Sequence, residues 1–418
     1  MFLSKIVLKD FKGIDNLALS FTDAEGRIRK QTLLLGQNGT GKSNVLKAIA
    51  LVTSGSEAVI DLLSDPDEWV RYGRNEAVLS ATLVTQKGQE RNITLVIRAG
   101  VSREELIRQN HESLQDLQRA LMHTGRNYFV AGYGASRRAS RGGSFTSSRE
   151  RHNISGRVAA IYTLFNPDAQ LNSLSSWAMS LDYRSGGKDL AIVRNTLNYF
   201  LEGVKFHGID KERKTLLFKE GRNIIPLEAL SDGYQNMAAW VGDLLYRLTD
   251  SFNNYRSPLK ARGLLLIDEI DLHLHPRWQR RLLDFIGERL PNMQVVATTH
   301  SPLTAQQAGE DELYALRREN GRTELIPFVG DPRKLLVHQL LMSPVFGLET
   351  DESREVERMK NEFKTLSGLK RKNSAQRNRA ASLRDSLEKL PETSYSNSFL
   401  DAQEMSMMKE VRKLLKNK

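Results

Sequence analysis

The chain has 418 residues, 40% of them hydrophobic and 27% charged, with 61 Lys and Arg against 50 Asp and Glu and a net charge of +11. That size predicts roughly two to four domains or lobes around a substantial core, and the basic surplus favours an anionic partner. There is no cysteine, which excludes disulfides, Cys-ligated zinc, iron–sulfur clusters and thiol nucleophiles.

Residues 1–21 alternate as a strand does, with Ile6 and Leu8, then Leu17, Leu19 and Phe21, on repeated faces. This N-terminus lacks the apolar run of a signal peptide. No stretch approaches the ~18 apolar residues of a membrane span, so a cytoplasmic protein with no membrane association is expected. Residues 31–35 form a short apolar strand, 36–43 a Gly-rich turn and 44–54 an apolar helix. Residues 79–84 and 92–98 read as a hairpin turning at Lys87-Gly88. Residues 102–122 read as an amphipathic helix, with Ser102 and Glu105 spaced as a capping box. Residues 128–130 lead into Gly132-Tyr133-Gly134, and 158–200 read as mostly helical. Further helices are expected at 230–248 and 276–290, with buried strands at 263–267 and 293–298. From Val337 onward the chain reads as charged and helical.

The charge surplus is local. Residues 136–157 hold six arginines against one glutamate, and residues 351–418 hold 16 Lys and Arg against 11 acids. Each segment carries a surplus of five, and the rest of the chain is close to neutral. Arg137, Arg138 and Arg141 follow the Gly132-Tyr133-Gly134 turn, where Gly and Ser leave the backbone free to fold around phosphates. They are the candidate DNA contacts.

Gly36-Gln37-Asn38-Gly39-Thr40-Gly41-Lys42-Ser43 fits G-x-x-x-x-G-K-[ST] between a strand and a helix. Gly36, Asn38, Gly39 and Gly41 form a turn whose backbone N–H groups can face the β-phosphate of ATP, at a helix N-terminus that favours anions. Lys42 neutralises the β- and γ-phosphates, and the Ser43 hydroxyl is a Mg²⁺ ligand. Residues 264–267, all Leu or Ile, end in Asp268 and Glu269. Asp268 is placed to hold Mg²⁺ through water, and Glu269 to polarise the attacking water as general base. His300 ends the next buried strand, 32 residues beyond Asp268, from where it can reach the γ-phosphate in a parallel sheet. Ser231 and Gly233 open a helix after Leu230. On sequence alone that is an N-capped helix, with its N-terminus a potential anion site.

In this order the four motifs resemble those of ABC-type ATPases of the RecF/SMC/overcoming-lysogenization-defect group. Leu230-Ser231-Asp232-Gly233-Tyr234-Gln235 looks like their signature motif, residues 267–276 like their Walker B and D-loop, and residues 298–302 like their His switch. The resemblance implies an α/β P-loop ABC-type ATPase head with a helical insertion and a helical C-terminal region. It also implies a homodimer or higher homo-oligomer. Ser231 and Gly233 of one protomer would close over ATP held by Lys42 of the other, with Asp271 at the seam. The expected divisions are 1–100 for the first ATPase lobe, 101–225 for the insertion, 226–330 for the second lobe and 331–418 for the basic helical region. The Q-loop glutamine is not located, Gln86 and Gln89 both lying in the hairpin turn.

The insert between the P-loop and the signature is far shorter than an SMC coiled coil, and no acidic cluster of a Toprim nuclease follows His300. Residues 128–138, 164–184 and 340–357 are similar to compact ATPases of Septu and retron-associated anti-phage systems. That resemblance implies a sensor or regulator whose HNH-type nuclease partner cuts in trans. A RecF-like repair ATPase and an ATP-locked scaffold with little turnover are the alternatives.

Overall fold

Runs with no polar side chain, such as residues 263–267, can only be covered on both faces, and such runs build the centre of the molecule. The computed structural model describes residues 1–63, 65–85, 88–123, 128–139, 156–185, 190–252, 258–369, 371 and 373–390. In chain order the strands are β1 (Phe2–Phe11), β2 (Ile14–Ser20), β3 (Gln31–Gly36), β4 (Glu76–Val84), β5 (Glu90–Arg98), β6 (Phe129–Tyr133), β7 (Arg138–Ala139), β8 (Gln170–Leu171), β9 (Val204–Asp210), β10 (Thr215–Glu220), β11 (Asn223–Pro226), β12 (Gly263–Ile267), β13 (Met293–Thr298), β14 (Leu313–Glu319) and β15 (Arg322–Pro327). The helices are α1 (Lys42–Thr53), α2 (Ser56–Leu62), α3 (Arg103–Gln109), α4 (His111–His123), α5 (Gly156–Phe165), α6 (Leu174–Ser185), α7 (Leu190–Phe200), α8 (Asp232–Ser251), α9 (Pro276–Gln279), α10 (Leu282–Arg289), α11 (Pro302–Ala305), α12 (Val337–Leu341), α13 (Arg354–Gly368) and α14 (Ser374–Glu388).

The central sheet has the order β15-β14-β3-β13-β12-β6. Its pairings are parallel except for β15 on β14. Alternate residues of each strand enter two different cores. Leu33, Leu35, Leu265, Ile267, Val295 and Ala297 join one core, built with α6, α7, α8 and α10. Leu34, Leu264, Leu266 and Val296 join the other, built with α1, α5 and the antiparallel sheet β2-β1-β4-β5. Helix α1 lies between the two sheets, which is why Ala48, Ile49, Ala50, Leu51 and Val52 are all buried in succession.

Several elements differ from the sequence expectation. Residues 1–21 are two antiparallel strands, β1 and β2, turning at Lys12-Gly13 with Phe11 opposite Ile14. The helix expected over 102–122 is broken at Asn110. This side chain is buried, donates to the Val96 and Leu106 carbonyls and accepts from Val96 N–H, pinning the chain to the edge of β5. The 101–225 stretch adds strands to its helices: β6 at the edge of the central sheet, and the small sheet β11-β10-β9.

Residues 1–348 form one compact unit and 349–418 a second. The described part of the second unit is helical. There α13 and α14 pack together, and Arg379 donates from Nε and Nη2 to the two Glu362 carboxylate oxygens, both at 2.8 Å. Among the described residues no helix is long and apolar enough to cross a membrane.

A buried polar network joins α8 to β6. Asp243 accepts from Tyr133 Oη (3.0 Å), Arg247 Nε (2.6 Å), Asn172 N (3.0 Å) and Asn172 Nδ2 (2.6 Å), and its side chain has no exposed surface. Burial, followed by the Asp243 charge, pushes the Tyr133 hydroxyl well above its ordinary value. Asp243→Ala strands four donors, so a loss of about 3–5 kcal/mol is expected in urea unfolding. Glu76→Ala, which breaks the exposed pair with Arg98, should cost under about 1 kcal/mol.

Candidate active site

The site forms where three strands end side by side. β3 runs into the Gly-rich turn, β12 into Asp268-Glu269 and β13 into Thr298-Thr299-His300. Gln37, Asn38 and Gly39 are exposed at the tip of the turn. Gly41 sits at φ +105° directly before α1, a left-handed conformation that any Cβ would strain. Lys42 is buried and folds back over the turn, donating to the carbonyls of Gly36 (2.8 Å) and Gln37 (3.0 Å). Burial lowers its pKa, and the Asp268 and Glu269 charges oppose that shift.

Ser43 Oγ donates to Asp268 Oδ2 at 2.7 Å. Thr298 Oγ1 donates to Asp268 Oδ1 at 2.6 Å and accepts from Glu269 N at 2.7 Å. One hydroxyl thus orients both acids. Glu269 is held at φ +48°, a conformation that costs a non-glycine residue on the order of 1–2 kcal/mol and persists where surrounding bonds dictate it. Thr299 Oγ1 donates to Asp271 Oδ1 at 2.5 Å. Burial raises the Asp271 pKa against that bond and the charges of Arg137 and His300. His300 is exposed and lines a cavity of about 420 Å³ with Gly36, Gln37, Thr40, Arg318 and Phe346. The structure therefore brings together the P-loop, Asp268, Glu269 and His300.

Ser231 and Gly233 lie elsewhere. They open α8, which packs in the core on the face of the central sheet opposite α1. Ser231 holds the N-cap position of α8 and is exposed, but its hydroxyl accepts no cap hydrogen bond, so the side-chain cap that the sequence suggested is not made. Gly233 is required within its own chain, since a Cβ there would lie 2.7 Å from the His273 carbonyl. His275 caps α9, with Nδ1 accepting from Arg277 N at 3.3 Å.

Arg137 corrects the sequence expectation of a DNA contact. It is 5% exposed, and its Nη2 donates to the main-chain oxygens of Asp268 (3.2 Å) and Glu269. Burial lowers its pKa to about 10 against the pull of Asp268, Asp271 and Glu269. Composition counted Arg137 in a basic run, and its neighbours in space were invisible to that count. The Arg138 side chain and Arg141 lie outside the described residues, as does most of the basic run. Thr298 and Thr299 were passed over as the polar end of a strand, although their place beside His300 was the available signal.

These features give the α/β P-loop fold of an ABC-type ATPase head, as the motifs implied. Residues 132–305, under half of the chain, match the family described as "AAA domain, putative AbiEii toxin, Type IV TA system". The chain is similar to the Septu protein PtuA of Bacillus mycoides (strain KBAB4), 28% identical over 396 residues that cover 93% of this chain and 50% of that protein. It is also similar to the "Retron Ec83 probable ATPase" of Escherichia coli, 33% identical over 137 residues that cover 32% of this chain and 25% of that one. The chain thus spans half or less of the length of these curated relatives. A solved SMC head bound to the C-winged helix domain of ScpA aligns with a TM-score of 0.45 at 16% identity, covering 79% of this chain and 98% of that one.

Thr298→Val keeps the shape of the side chain and removes its bonds to both acids. Unfolding should cost about 1–3 kcal/mol, with Thr298→Ser recovering most of it. Comparing the two melting curves checks the assignment.

Proposed function

We propose that this chain hydrolyses ATP between two paired heads, and that the pairing regulates a nuclease carried by a partner chain in anti-phage defence. The observation that carries the reading is the cluster at the P-loop, where Ser43 meets Asp268 at 2.7 Å and Thr298 holds Asp268 and the Glu269 peptide together. The Septu and retron relatives support the defence context.

The donor set fits Mg²⁺: a hydroxyl and a carboxylate, hard oxygens already side by side. Ser43 and Asp268 would hold the ion, which when bound neutralises phosphate charge. Gly36, Asn38, Gly39 and Gly41 would present main-chain N–H groups to the phosphates. Lys42 would leave the Gly36 and Gln37 carbonyls for the β- and γ-phosphates. Glu269, with its main chain fixed, would take the proton of the attacking water, and His300 would face the γ-phosphate from the next strand.

The layout supports pairing. The exposed, uncapped Ser231 opens a helix on the opposite side of the sheet from α1, which supports closure of Ser231 and Gly233 over the ATP of a second copy. ATP then acts as a conformational switch. For DNA, the arginines left in the reading are Arg138 and Arg141.

Glu269→Gln should lower ATP turnover by about 10²–10⁴-fold, keep Mg-ATP binding, and shift the chain towards dimer in sedimentation with ATP. Unchanged turnover would support an ATP-locked scaffold. Co-purification of an HNH-type nuclease with the native chain tests the regulatory half, and recovery of repair proteins in its place would favour a RecF-like role.

A further inference from the structure

We infer that Arg137 is a positioning residue for hydrolysis, clamping the main chain of Glu269 so that its carboxylate faces the attacking water. The inference rests on the reading of Glu269 as general base.

Glu269 is a non-glycine residue in the left-handed region, and its side-chain direction depends on what holds its two peptide groups. The N–H goes to Thr298 Oγ1 at 2.7 Å. The carbonyl accepts from Arg137 Nη2 and from Leu272 N–H at 3.0 Å, and the same Nη2 also donates to the Asp268 carbonyl at 3.2 Å. On either side of the turn, Asp268 N–H bonds to the Tyr133 carbonyl at 2.8 Å and Ile270 N–H to the Thr298 carbonyl at 2.9 Å. Of these bonds, only those from Arg137 are made by a charged side chain, and charge-assisted bonds are the strong ones.

Arg137 is itself placed from both sides. Before it, β6 is fixed on β12 with Tyr133 opposite Ile267. After it, β7 pairs with β8, Arg138 opposite Gln170 and Ala139 opposite Leu171. Directly beyond β8, Asn172 bonds to Asp243 of α8, the helix that Ser231 opens. Arg137 Nε is buried with no hydrogen-bond partner. The guanidinium therefore sits where the turn needs a donor at the expense of its own full satisfaction, an arrangement that calls for a functional account.

The experiment compares the full chain with Arg137→Lys, Glu269→Gln and the double variant, measuring kcat and KM for ATP, Mg-ATP binding and melting. Arg137→Lys keeps a buried cation but has lost the guanidinium fork. A fall in kcat of roughly 10–100-fold is expected, with Mg-ATP affinity within about threefold of the parent. In the Glu269→Gln background the same change should alter the residual turnover less than about twofold, because both act through one group. A comparable loss in both backgrounds would overturn the inference, as would a loss confined to affinity or unchanged kcat. So would an Arg137→Lys chain that neither melts cooperatively nor binds nucleotide, since Arg137 would then serve the core. Full turnover in Glu269→Gln would instead overturn the reading on which the inference rests.

Discussion

Both faces of the central sheet are buried, and that constraint places the chemistry. Leu264 and Leu266 face one core while Leu265 and Ile267 face the other, so β12 has no side along which a carboxylate could be carried. Polar side chains can leave such a strand only at its end. Because β3, β13 and β12 are neighbours and parallel, their ends open on the same edge. The Gly-rich turn, the two acids and the Thr-Thr-His segment converge there although the turn is more than 200 residues from the other two in the chain. Convergence has a cost, since each polar group at a buried strand end needs a partner. Thr298 meets much of that need, donating a hydrogen bond to Asp268 and accepting one from Glu269 N–H.

The same two cores divide the labour between helices. α1 is enclosed between two sheets and carries the P-loop residues at its N-terminus. α8 belongs to the opposite core, reached from the edge where the strands end through Tyr133 and Asp243. The interior of the sheet lies between the two helices, so an exposed serine at the start of α8 is available to something outside its own core. This layout, more than any one bond, supports reading the head as half of a composite site.

The sequence was most informative where function needs neighbours in the chain. The P-loop is eight consecutive residues, and its strand and helix flank it directly. The acids at 268 and 269 and His300 end strands whose apolar runs are unmistakable. Reading failed where the partner lies far along the chain. Arg137 looked like the first member of a basic run suited to DNA, because its contacts with residues 268 and 269 are 131 and 132 positions away. Asn110 looked like an ordinary residue on a helix face, and its hold on Val96 from the edge of β5 ends one helix and starts another. Lys12-Gly13 was absorbed into an alternating pattern, since two antiparallel strands joined by a two-residue turn keep much the same alternation as one.

The charge of the site follows from these corrections. Lys42, Lys47 and Arg137 act on Asp268, with Glu269 and Asp271 close by. Three cations face three carboxylates around Asp268, so the +11 of the chain is not concentrated on these acids. Burial lowers the pKa of all three cations, and Lys42 is committed to two carbonyls. In the proposed ATPase reading, the N–H groups of the turn and the N-terminus of α1 would add fixed dipoles to the charge that Lys42 brings to a triphosphate. Those dipoles amount to about half an elementary charge, against several negative charges on the ligand. In the proposed ATPase reading a divalent cation would offset the remainder, and Ser43 and Asp268, 2.7 Å apart, are the oxygens that would hold it.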